Sequence, residues 1–188
     1  MKKVDTRVQY TRRRLRDAIL ELLQEKSIDK ITIKEICESA GLNRGTFYLH
    51  YDCPAALLSD IENQFLEENT RLFHSFWHSG REQNIMAALF ASIKENSDIF
   101  CILMGPHGNP NFVTEVFGSM RELVLDQWQL EFPRYHREDL DFIFDYVLYG
   151  SSRLIVNWLQ DSRGIPASQF AGRMERLGHH ALMAISDF

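Results

Sequence analysis

Four side chains suited to contact with a polyanion, Arg44, Thr46, Tyr48 and His50, fall within one short stretch, interleaved with apolar positions. A guanidinium offers a two-pronged fork to a guanine edge, and hydroxyls of Thr46 and Tyr48 suit phosphate oxygens. Gly45 has no side chain, so the backbone beside these groups can approach another molecule closely. Asn43 stands immediately before them as a helix N-cap, and the positive end of the helix it starts favours a phosphate nearby. Upstream, Thr32-x-x-Glu35 has the spacing of a capping box, and Gly41 supplies a left-handed turn. The stretch Thr32–Tyr51 therefore reads as a short helix, a tight turn and a second short helix, a unit able to enter a DNA major groove.

The elements that must hold this unit are helical. Leu15, Ala18, Ile19, Leu22 and Leu23 share one stripe and predict a first helix over about 11–24. Ile33, Ile36, Cys37 and Ala40 predict a second helix, closed by Gly41. A third runs over about 44–49, with Leu42, Phe47 and Tyr51 pointing inward. Asp52 and Pro54 restart the chain in a fourth helix reaching about residue 77, with Leu57, Ile61, Phe65, Leu72 and Phe76 near one side. Ser79-Gly80 breaks it. Further helices are predicted over about 85–96 (Ile85, Leu89, Ile93), 97–104, 111–130 (Val113, Val116, Phe117, Met120, Val124), 137–160 and 168–186 (Phe170, Met174, Leu177, Ala181, Ile185). They are separated by GPHGNPN at 105–111, Pro133 and RGIP at 163–166. No stretch reads as a strand. The expectation is an all-α chain of about nine helices.

The run Gly41-Leu42-Asn43-Arg44-Gly45-Thr46-Phe47-Tyr48-Leu49-His50-Tyr51, with Ile31-Thr32-Ile33-Lys34-Glu35-Ile36 before it, resembles the N-terminal signature of the tetracycline-repressor (TetR) family of transcriptional regulators. The resemblance implies a DNA-binding head over residues 8–68, its helix-turn-helix at about 31–50, and a ligand-binding and dimerisation body over 69–188. It implies phosphate contact by Thr32, Thr46, Tyr48 and His50, and base or backbone contact by Asn43 and Arg44 beside Gly45. The chain departs from the family at Pro54, where many members carry a lysine, and Asp52 adds a negative charge nearby. Arg12, Arg13 and Arg14 are candidates to compensate.

Charge agrees with that division. Residues 1–53 hold 11 Lys and Arg against 8 Asp and Glu, whereas residues 54–188 hold 10 against 18. A basic front joined to an acidic body suggests that only the front meets a polyanion. No apolar run is long enough to span a bilayer, and the basic start lacks an apolar leader stretch, so a cytoplasmic protein without membrane contact is expected. Cys37, Cys53 and Cys101 are widely spaced and form no zinc or disulfide pattern. GxSxG, HExxH and P-loop motifs are missing, which argues against an enzyme. His74 and His78 lie four apart and could share a metal, but no third ligand is near in sequence; His179 and His180 diverge on a helix. No cofactor is expected.

One head reads too few base pairs for operator specificity. The family implies a two-fold homodimer through the last two helices, and the expected interface residues are Phe144, Ser151, Leu154, Ile155, Trp158, Met174, Leu177 and Ala181. A small, largely apolar effector is expected between the body helices, with Phe65, Phe100, Met104, Phe117, Met120, Tyr146 and Tyr149 as its lining, and Phe90, Phe112 and Trp128 as further candidates. Ligand-driven movement of the long fourth helix would change the head separation and release a palindromic operator, making the protein a repressor. The alternative is a co-regulator of the same fold that acts through a protein partner.

Overall fold

The computed structural model describes residues 6–77, 85–109, 111–161 and 164–184. The expected break at Ser79-Gly80, His78 of the candidate metal pair, and Ile185 lie outside them. So do the side chains of His74, Phe76, Ile85 and Val113.

Among the described residues the chain is all-α, with ten helices: α1 (Thr6–Leu23), α2 (Ile33–Ala40), α3 (Arg44–Tyr48), α4 (Pro54–Trp77), α5 (Ile85–Glu95), α6 (Ser97–Leu103), α7 (Phe112–Gly118), α8 (Arg121–Glu131), α9 (Arg137–Gln160) and α10 (Ala167–Ala184). A 3₁₀ turn at Ile28–Lys30 precedes α2. The tenth helix comes from a division of the expected seventh. After Gly118 the Ser119 hydroxyl donates to the Val116 carbonyl at 2.7 Å, and Met120 sits at φ −100°, ψ −2°. A side-chain donor competing for a helix carbonyl beside a glycine ends α7 where apolar spacing alone continues it. α1 also starts five residues earlier than expected, so the arginine run lies in its second and third turns and not at its start.

The chain forms two compact units, Met1–Phe65 with Ile102–Pro110, and Leu66–Cys101 with Asn111–Phe188. The division falls inside α4. At 24 residues this helix is about 36 Å long.

In the first unit, Leu15, Ile19 and Leu23 of α1 are fully or almost fully buried together with Ile36, Phe47 and Leu57. This apolar set packs α1 on α2 and α2 on α3. Arg14 adds a polar tie, its Nε donating to the Ala40 carbonyl at 2.9 Å. In the second unit, α10 packs on α5 and α9, and α9 also carries α7 and α8. Phe170 stacks on Trp158 with ring centroids 4.4 Å apart and meets Phe90 edge-on at 5.0 Å. The Trp158 indole donates to the Ile165 carbonyl at 2.7 Å, so burying its ring leaves no donor unpaired. Two arginines clamp α8 to α9. Arg121 donates to Asp141 and Asp145 at 2.8 Å each, and Arg137 to Asp126 and Glu122 at 2.7 Å each.

Candidate nucleic-acid interface and effector cavity

The head is built from two caps and one turn. Thr32 accepts from the Glu35 backbone N–H at 3.3 Å, and its own N–H donates to the Glu35 carboxylate at 3.0 Å. Both halves of the capping box are therefore closed, which starts α2 at Ile33. The Lys26 ammonium, then the Thr32 N–H and hydroxyl, hold the Glu35 carboxyl at about 2. At the other end Gly41 adopts φ 63°, ψ 37°, and the Leu42 N–H reaches the Cys37 carbonyl at 2.9 Å. This left-handed residue turns the chain from α2 toward α3, and a Cβ there would be strained. Asn43 then caps α3, its Oδ1 accepting from the Thr46 N–H at 2.7 Å and from the Thr46 hydroxyl at 3.0 Å.

Phe47 is fully buried and Tyr51 nearly so; the Tyr51 hydroxyl donates to Asp60 at 2.6 Å. Burial, reinforced by Asp60, pushes the Tyr51 phenol well above its usual range, so it stays a neutral structural donor. With that face fixed inward, Arg44, Gly45 and Tyr48 are exposed, Thr46 and His50 are half-buried, and Thr32 and Asn43 are exposed. Arg12 lies over the Tyr51 ring at 5.9 Å.

These placements sort the candidates by how free their polar atoms are. Among the described residues nothing bonds the Arg44 guanidinium or the Tyr48 hydroxyl, so both are available to an outside partner. The hydroxyls of Thr32 and Thr46 already donate inside the fold, to Glu35 at 2.8 Å and to Asn43 at 3.0 Å. Arg14, a candidate to compensate for Pro54, is engaged with Ala40. Leu49, which the sequence reading passed over, is 82% exposed at the end of α3. An apolar side chain left in water beside four polar ones is suited to a thymine methyl.

Residues 15–61 match the profile described as bacterial regulatory proteins, tetR family, and residues 81–180 match that of a transcriptional regulator C-terminal region. The chain belongs to the tetR family. Its members are transcriptional regulators with a helix-turn-helix head and are not enzymes. The HTH-type transcriptional regulator YxbF of Bacillus subtilis is 27% identical over 109 residues, which is 55% of this chain and 29% of that protein. The chain thus matches under a third of that relative's length. A TetR transcriptional regulator from Streptococcus agalactiae has the same fold, with TM-score 0.62 and 21% identity over 93% of this chain and 96% of that one. The dihydroxyacetone kinase operon activator DhaS is similar at TM-score 0.59 and 19% identity, over 95% and 97% of the two chains.

The C-terminal unit of this tetR-family chain holds a half-open cavity of about 410 Å³. Of the residues expected around an effector, Phe117 and Met120 are in the wall of this cavity. Five others lie elsewhere. Phe65, Phe100 and Met104 are not in its wall; Phe100 is fully buried against Phe112, rings 5.9 Å apart. Tyr146 and Tyr149 point outward, 70% and 61% exposed. Of the further candidates, Phe90 and Trp128 are in the wall and Phe112 is not; Val147 joins them, with Glu175, His179 and Leu182 on α10.

The expected dimer residues need a matching correction. Phe144, Ile155, Trp158 and Met174 are buried within the subunit, and Phe144, Ser151, Ile155 and Met174 line the cavity. Leu154 and Leu177 are exposed and Ala181 is half-buried. α9 carries apolar residues on two faces, one buried around Phe144 and Ile155 and one exposed around Phe142 (73%), Tyr146 and Tyr149. Positions 142, 146 and 149 fall one turn apart on one stripe.

The thiols do not act together. Cys37 is buried, Cys53 exposed and Cys101 half-buried, all free. Burial pushes the Cys37 and Cys101 thiols up, which lowers their thiolate fraction and reactivity. Among the described residues no group of three or more His, Cys, Asp or Glu could hold a metal, and no helix is long and apolar enough to cross a membrane.

Proposed function

We propose that this tetR-family regulator binds a palindromic operator as a homodimer and is released from it when the cavity of each body takes up a small, largely apolar effector. The observation that carries the DNA-binding part is the surface of α3. Arg44 and Tyr48 have free polar groups, Gly45 and Leu49 are exposed beside them, and two caps and a buried Phe47 fix the helix that presents them. Arg44 is assigned to a base edge or the backbone with Asn43, and Tyr48 and His50 to phosphates. Thr32 and Thr46 contact phosphate by turning their hydroxyl protons from Glu35 and Asn43 to a phosphate oxygen, with Arg12 as an added charge.

Dimerisation is assigned to the outer faces of α9 and α10. Phe142, Tyr146 and Tyr149 form an exposed stripe on α9, and Leu154 of α9 and Leu177 of α10 are also large apolar side chains left exposed; exposed apolar surface of this kind marks an association surface. Effector release is assigned to the 410 Å³ cavity, a volume within the range of small-molecule sites. It requires the ligand to bind the DNA-competent and released arrangements unequally, through movement of α4. Repression is the sign favoured by this scheme, since a dimer on a promoter blocks it. A protein of this fold carries the name of an operon activator, so the sign is tested separately by transcription from the identified site.

The test is selection of bound sequences from a random duplex library at two salt concentrations. An enriched two-fold palindrome whose affinity falls steeply with salt is the expected result. No enrichment at low salt from folded, dimeric protein would overturn it in favour of a co-regulator acting through a protein partner, a role to which Asp52 and Pro54 would be suited.

A further inference from the structure

We propose that the cavity selects an effector that is an organic cation, an aromatic or aliphatic amine, with Glu175 and Glu131 supplying the negative charge. The proposal rests on the reading of the cavity as an effector site and adds the charge of what enters it. Three observations carry it. The wall is mainly apolar and includes the rings of Phe90, Phe117, Trp128 and Phe144, whose faces attract a cation. It contains two carboxylates, Glu131 at the end of α8 and Glu175 on α10, and no lysine or arginine. His179 is the other titratable residue in it. Arg121, whose guanidinium lies over the Phe144 ring at 5.0 Å, is committed to Asp141 and Asp145.

The two acids differ. Glu131 accepts from Gln127 at 2.7 Å. Glu175 has no ion-pair or hydrogen-bond partner among the described residues. As a residue it is exposed, yet the protein around its carboxyl displaces enough water to push its pKa up, with Arg176 only partly opposing. A neutral apolar guest would strip more water from that carboxyl and offer nothing in return, which is costly. An anionic guest would meet two like charges with no opposing lysine or arginine in the wall. A cation avoids both penalties and gains the aromatic faces as well.

Three fluorescent probes with one ring system and three charges separate these cases: 9-(aminomethyl)anthracene, 9-anthracenemethanol and 9-anthracenecarboxylate. Each is titrated at neutral pH into the full chain, and into E175Q and E131Q after their melting temperatures are shown to match the parent. The amine is expected to bind at least tenfold tighter than the alcohol, with the carboxylate weakest. E175Q should remove most of the amine's advantage and leave the alcohol unchanged. Equal binding of all three, or tighter binding of the carboxylate, would overturn the charge selection and leave the cavity as an effector site. A preference that survives in both variants would overturn the assignment to these two acids. Failure of all three probes to bind folded protein would overturn this proposal and the effector reading together.

Discussion

Replacing Arg44 by alanine separates reading DNA from holding the fold. Arg44 is the first residue of α3, exposed, and its guanidinium is bonded to nothing among the described residues. Its removal should therefore change stability by no more than about 0.5 kcal/mol, as for a surface site without special contacts. A small gain is reasonable, because a positive charge in the first turn opposes the helix dipole. On DNA the loss should be large. A bidentate arginine–base contact is worth about 1–3 kcal/mol, and a dimer on a palindrome makes it twice, for about 2–6 kcal/mol. That corresponds to roughly 30-fold to 10⁴-fold weaker binding. The assay is fluorescence anisotropy of a labelled duplex carrying the selected operator, at salt from about 50 to 200 mM. If Arg44 reads a base, one symmetric pair of operator positions should lose its preference. If it sits on phosphate, all sequences should weaken together, and the salt slope should fall by about one per half-site. Folded Arg44→Ala binding the operator within twofold of the parent would refute the assignment of α3 as the reading helix.

Four further outcomes follow from the same geometry. Tyr48→Phe should leave the melting temperature unchanged and cost about 1 kcal/mol per half-site, roughly 30-fold in the dimer, because the hydroxyl makes no internal bond. Asn43→Ala uncaps the five-residue α3 and should lower stability by about 1 kcal/mol, a fall of about 2–4 °C in melting temperature by calorimetry. Glu35 is held at about 2 when folded against an ordinary value of 4.5. Its contribution is therefore present above about pH 5 and lost as pH falls toward 2, and Glu35→Gln should flatten the acid side of a melting-temperature profile. Tyr146→Asp and Phe142→Asp place charge on the outer face of α9 and should convert dimer to monomer by sedimentation. The melting of the core should be little changed, since both side chains are largely exposed.

The head was legible because local chemistry decides it. The Thr32–Glu35 box, the left-handed Gly41 and the Asn43 cap each act within a few residues, so their spacing in the chain is their geometry in the fold. What sequence could not show was which of these polar atoms are already spent. Thr32 and Thr46 look like free hydroxyls in the chain, and both donate within the head. The same holds for Arg14, whose partner Ala40 lies 26 positions away and is brought to it only by the packing of α1 on α2.

The body was legible as helices but not as faces, and α9 shows why. Its apolar residues cover two stripes, so periodicity fixes that the helix is packed and leaves open what against. The pattern points Phe144 and Ile155 to a partner, and they face the cavity; it points Tyr146 and Tyr149 to a ligand, and they face outward. On α9 the two differences are complementary, since Phe144 and Tyr146 lie about half a turn apart. Long-range packing settles the choice. Arg121 binds Asp141 and Asp145 from α8, which fixes the rotation of α9 and turns Phe144, between them in sequence, toward the Trp128 ring at 6.1 Å. Phe142 and Tyr146 are then left on the opposite side, exposed. The same rotation that lines the cavity with Phe144 and Ile155 thus sets the outward stripe, so a change that loosens the Arg121 clamp should disturb ligand binding and dimerisation together. Arg121→Ala tests this, with cavity affinity for an anthracene probe and dimer dissociation measured on one preparation. Loss of one with the other intact would separate the two faces and sink the argument that one helix rotation governs both.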